Sequence, residues 1–235
     1  MRRAEFVRPR LAKSSRVGHD RAMKIMLSLV PLLLLAPPSA AAERGPAGIY
    51  RLVGQQDVAS GLRLEPDGRF QYFLSAGALD EQAEGRWRSA GPVVILTTEP
   101  RPIPPVFERA PSTRATESRM TVEVSSPAGG GIAGVDLRIG FDEGAPIEGY
   151  TQEYGWSLPD DEKRIPRWIE LGVPMHGIAS PRFPIDLAAG NALAFTLVPN
   201  DLGKVDFSGI RVELSGKSLI VHRGPARLRY EPVRK

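Results

Sequence analysis

The run Leu62-Arg63-Leu64-Glu65-Pro66-Asp67-Gly68-Arg69-Phe70-Gln71-Tyr72-Phe73-Leu74 decides the fold class. Apolar and polar residues alternate on both sides of Pro66-Asp67-Gly68, the two-residue period of a strand with one buried face. The centre is a turn with its own chemistry: proline presets φ, aspartate bonds back to the backbone, and glycine takes a positive φ. Residues 62–74 are therefore expected to form a β-hairpin.

The same pattern extends outward. Gly48-Ile49-Tyr50-Arg51-Leu52-Val53 reads as a first strand, and Glu84-Gly85-Arg86-Trp87-Arg88 with Val93-Val94-Ile95-Leu96-Thr97 as a second hairpin about Ala90-Gly91-Pro92. Further along, Met120-Thr121-Val122-Glu123-Val124 and Val135-Asp136-Leu137-Arg138-Ile139-Gly140-Phe141 alternate again across a glycine-rich turn. Later strands are expected at residues 192–198, 210–214, 218–221 and 227–230. With Gly 24 and Pro 22 in 235 residues, long helices are disfavoured throughout. The expected fold class is all-β: a small antiparallel meander or partial barrel over 43–100, a Pro-rich linker over 101–118, and a β-sandwich over 119–235. The linker reading rests on the five prolines of residues 99–118.

Two family resemblances follow from these residues. Gly48, Tyr50, Leu62, Leu64, Asp67, Gly68, Phe70, Gly85 and Trp87 are arranged as in the small lipocalin-like, or calycin-like, β meanders of exported bacterial proteins. The match covers some fifty residues, short of an eight-stranded lipocalin barrel, so a ligand cup is permitted but not implied. Val122, Val124, Gly134, Val135, Phe141, Gly144, Thr151 and Gly155 resemble the start of carboxypeptidase regulatory-like and transthyretin-like β-sandwiches. Residues 159–183 depart from that family as an insertion-like stretch. The second resemblance implies a non-catalytic accessory role.

Residues 25–36, IMLSLVPLLLLA, are too short an apolar run to span a bilayer as a helix, which takes about 20 residues. Lys24 and Arg21 precede the run, and Ala40 and Ala42 follow it in PPSAAAE. This is the pattern of a secretory signal cleaved near Ala42. Translation is expected to start at Met23; Arg2-Arg3 stands too far from the apolar core to read as twin-arginine export. Removing residues 1–42 takes away eight basic and two acidic residues. That leaves 31 − 8 = 23 basic against 27 − 2 = 25 acidic, near −2, so the mature chain has no general attraction to nucleic acid. The expected location is periplasmic or secreted, with no membrane span after cleavage.

Catalytic signatures are missing from the sequence. It has no cysteine, no G-x-S-x-G and no H-E-x-x-H, and only His176 and His222 follow the signal. No catalytic residue, metal or cofactor is assigned. Asp160-Asp161-Glu162 beside Lys163-Arg164 reads as a solvated loop rather than a calcium site, and residues 199–203 as a turn. The aromatic-rich segment 150–183 is the candidate site, with Tyr150, Tyr154, Trp156, Trp168, His176 and Arg182 expected to hold a partner or small ligand. The leading expectation is a non-catalytic envelope protein binding an envelope protein or small ligand. The alternatives are an envelope hydrolase using acidic residues and His176, or a purely structural module.

Overall fold

The computed structural model describes residues 45–233. The signal, its cleavage site and the Met23 start lie outside the described residues. The fold is all-β, as the alternation requires. Strands β1 (Gly48–Val53), β2 (Val58–Leu64), β3 (Arg69–Ala76), β4 (Leu79–Ala90) and β5 (Val93–Thr98) form a continuous antiparallel meander. The expected hairpin is β2–β3, with Leu62 opposite Tyr72 and Leu64 opposite Phe70. Its turn works through the expected groups: Asp67 Oδ1 accepts from the Arg69 amide at 3.1 Å, and Gly68 has φ +85°. Strand β4 is twelve residues long, well beyond the segment expected at 84–88. At Gly85 the chain passes so close to β5 that a Cβ would fall inside the contact shell of the Thr97 carbonyl oxygen, which accounts for the glycine of the G-x-W motif.

The chain then builds a second layered body. Its strands are β6 (Val106–Arg109), β7 (Thr121–Ser125), β8 (Asp136–Phe141), β9 (Ile147–Tyr150), β10 (Trp156–Ser157), β11 (Pro166–Val173), β12 (Ile178–Ala179), β13 (Phe183–Pro184) and β14 (Ala192–Val198). One sheet runs β10-β7-β14-β6. The other runs β12-β11-β8-β9, with β13 also on β11. Val122, Val124, Leu137, Ile139, Ile169, Leu171, Leu193 and Phe195 are all buried between them. Two expectations are corrected here. The supposed linker contains β6, which pairs with β14 and buries Phe107 in this core. The insertion-like stretch 159–183 contains β11, whose Ile169 and Leu171 face the core while its backbone pairs with β8 along its length.

The last strands, β15 (Ser208–Ser215), β16 (Ser218–Arg223) and β17 (Ala226–Pro232), do not join the sandwich, contrary to the expected 119–235 boundary. Strand β15 pairs with β5 and β17 with β1, closing an eight-stranded up-and-down barrel, β1-β2-β3-β4-β5-β15-β16-β17. The reason is edge satisfaction. A five-stranded meander leaves the outer backbone groups of β1 and β5 unpaired, and closure removes both edges. The sandwich is thus an insertion between the fifth and sixth barrel strands. Its outgoing and returning connections are laced together: Asp201 Oδ2 accepts from the Ile103 amide at 2.9 Å, and Asn200 Nδ2 donates to the Pro104 carbonyl at 2.8 Å. The returning segment also patches the barrel wall above β5. The Gln82 amide donates to the Gly203 carbonyl and the Gln82 carbonyl accepts from the Val205 amide, while Thr98 Oγ1 both donates to the Val205 carbonyl and accepts from the Phe207 amide at 2.9 Å. No helix among the described residues is long and apolar enough to cross a membrane.

Candidate functional site

Alternation along each barrel strand sends one set of side chains inward. Leu62, Leu64, Phe70, Leu96, Val212, Leu219 and Tyr230 fill the interior and are almost fully buried. Two polar groups interrupt this apolar filling. Ser60 Oγ donates to the Phe73 carbonyl at 2.5 Å, so the Tyr230 hydroxyl, 2.8 Å away, donates to Ser60. Tyr72 Oη accepts from Arg223 Nη1 at 3.3 Å, and Arg223 forms a two-pronged pair with Glu81, with Nη2 to Oε1 at 3.0 Å. Burial raises both tyrosines above their ordinary range, and the bonds to Glu81 hold the Arg223 guanidinium firmly charged.

Glu81 and Arg223 lie at the end of the barrel where β3 turns into β4 and β16 into β17. They line an open cleft of about 730 Å³ together with apolar side chains including Val58, Leu74, Leu79, Ile210 and Leu228. The inserted body contributes the other side through Met175, His176 and Gly177. That contribution is a single tight turn, Pro174–His176, closed by the Gly177 amide donating to the Pro174 carbonyl at 2.9 Å; Gly177 has φ +65°, a conformation glycine adopts without steric cost. Met175 is more than half exposed. A concave apolar wall with a few convergent polar groups is the usual form of a small-molecule site.

Of the six residues read as the candidate site, only His176 lines this cleft. Trp168 and Arg182 meet elsewhere, on β11 and the loop after β12, with the guanidinium 4.2 Å from the ring centroid. The ring also lies against Gly140, where a Cβ would overlap the indole. Trp168 is thus held between Arg182, Arg138 and the Gly140 backbone as a packing element of the sheet. Arg182 is further held by Glu170 at 2.8 Å, and Arg138 bridges Glu170 and Glu148, each at 3.7 Å. Tyr150 borders this charged face. Tyr154 is 89% exposed at the turn where Gln152 and Gly155 exchange backbone bonds. Trp156 packs on the sandwich core over Gly149. The six residues do not form one site, because strand direction disperses them over separate faces.

The acidic run is engaged by its neighbours. Glu162 accepts from Arg164 through Nη2 at 2.6 Å and Nε at 2.9 Å, which lowers its carboxyl to about 2, and Asp160 lies 3.6 Å from Arg119. His222 points out of the barrel to Glu213 at 3.2 Å. Among the described residues, no group of three or more His, Asp or Glu side chains is placed to hold a metal ion. The residues that sequence reasoning missed are Ser60, Tyr72, Glu81, Arg223 and Tyr230. Their only sequence signal is Glu81 standing in the inward register of Leu79 and Ala83, a charge where an apolar residue belongs. The chain matches no protein-family model, no curated protein and no solved structure, and its functional reading rests on the chemistry of the cleft.

Proposed function

We propose that this is an exported, non-catalytic binding protein of the bacterial envelope that takes a small, largely apolar ligand into the mouth of its barrel. The observation that carries the reading is the open cleft of about 730 Å³ whose lining combines apolar side chains with the Glu81–Arg223 pair. It is supported by the barrel's closure, which gives the wall a rigid frame, and by the export signal pattern of residues 1–42. The calycin-like resemblance of the first strands belongs with this reading, since up-and-down barrels of that kind hold ligands at one end.

Native mass spectrometry of the mature protein from its own host tests it. An adduct of constant mass that is lost on unfolding, and is absent from a Leu228→Arg variant, is the expected result. A bare wild-type protein that also takes up no added apolar probe, or an adduct that Leu228→Arg retains, would overturn the assignment to this cleft.

A further inference from the structure

The charged groups around the cleft restrict what it accepts. Its lining holds Glu81, Arg223, Asp206 and two histidines. Glu81 and Arg223 neutralise each other, with side chains only 13% and 31% exposed. Asp206 is committed to Arg101 at 2.8 Å and Ser208 at 2.7 Å, and His222 faces Glu213 outside the barrel. Among the described residues, then, each fixed charge of the lining already has its counter-charge within the protein. Hydrogen-bonding capacity is another matter. A guanidinium has five N–H donors, and Arg223 uses three, two on Glu81 and one on Tyr72.

We infer that the ligand is uncharged: a neutral lipophile carrying a hydrogen-bond acceptor such as a hydroxyl, carbonyl or ester. This rests on the cup reading above. A neutral acceptor is served by the remaining Arg223 N–H groups with the ion pair intact. A carboxylate on the same N–H groups sets a second negative charge beside the poorly solvated Glu81 carboxylate and competes with it for Arg223. An ammonium likewise sets a second positive charge beside the Arg223 guanidinium and competes with it for Glu81. Breaking a buried pair by taking one partner is the costly case, whereas an added neutral hydrogen bond disturbs nothing.

The test titrates the mature protein with decanol, decanoate and decylammonium at about pH 8, where the carboxylate and the ammonium are both ionised. Decanol is expected to bind at least about tenfold more tightly than either ion, a difference well above calorimetric error. Glu81→Gln keeps the shape of the wall but leaves Arg223 without its counter-charge. It is expected to raise decanoate affinity about tenfold while decanol binding persists, which also reports that the variant is folded. Decanoate or decylammonium binding wild type as tightly as decanol overturns the inference and leaves the cup standing. Failure of all three to bind overturns the cup itself. A Glu81→Gln protein that binds decanol but gains nothing for decanoate removes the ion pair as the source of selectivity.

Discussion

Ser60 and Tyr230, 170 residues apart in the chain, share a buried hydrogen bond of 2.8 Å that spans β1 and ties the second barrel strand to the last. The bond lies across the seam at which the barrel closes. Every strand between these residues contributes to the ring except those of the inserted sandwich.

Removing the phenolic hydroxyl tests the contribution of that seam. Tyr230→Phe keeps the ring volume and leaves Ser60 donating to the Phe73 carbonyl, so the expected loss is about 1–2 kcal/mol. Urea unfolding of the mature protein, with an unchanged slope and a lower midpoint, is the readout. No loss at all would mean that the seam is held by backbone pairing and packing alone.

Closure also forecasts which fragments fold. Residues 43–100 alone keep β1 to β5 but lose both partners of the outer strands, and are expected to lack a cooperative thermal transition by circular dichroism. A chain in which residues 102–200 are replaced by a short flexible linker keeps all eight strands together with Val205 and Phe207. It is expected to unfold cooperatively, because loop closure costs grow only slowly with length. The reverse pattern would show that the inserted body, rather than the ring, nucleates the structure.

Acid stability carries the mark of Glu162. Its carboxyl is lowered from 4.5 to about 2 by the hydrogen bonds from Arg164. A group whose folded value is depressed stabilises fully above its unfolded value and loses that contribution as pH falls through the folded one. Between about pH 5 and 2 the urea midpoint of wild type should therefore fall more steeply than that of Glu162→Gln, and the two should run parallel above that window. Parallel curves throughout would show that the pair contributes nothing in solution.

Local pattern made much of this molecule readable. The alternation at 48–53 and 62–74, the Pro66-Asp67-Gly68 turn and the strands at 120–124 and 135–141 all name their own conformation. Strands 210–214, 218–221 and 227–230 were equally legible as strands, but alternation says nothing about which edge a strand will join. Proximity in sequence favoured the sandwich, and the open edges of β1 and β5 decided for the barrel. Strand β4 was half missed because its inward positions are Leu79, Glu81, Ala83 and Gly85, a face too polar and too small to announce itself. The cleft stayed hidden for the same reason: Glu81 and Arg223 are 142 residues apart, and only ring closure makes them neighbours. The aromatic segment attracted attention by composition, yet Trp156 and Trp168 lie over glycines as packing elements.

The place of the insertion has a consequence for how the molecule comes into being. A chain made from its N-terminus presents β1 to β5 first, then all of the sandwich, and β15 to β17 last. Throughout that interval the forming sheet is a template with two bare sides, able to recruit strands from another molecule. Contacts of such long sequence separation also form slowly. The finished ring has no edge to offer, so the period of greatest hazard for this protein is its own biosynthesis. A holding factor acting then would need to recognise the free backbone edges of β1 and β5, which pairing with β17 and β15 covers in the closed ring.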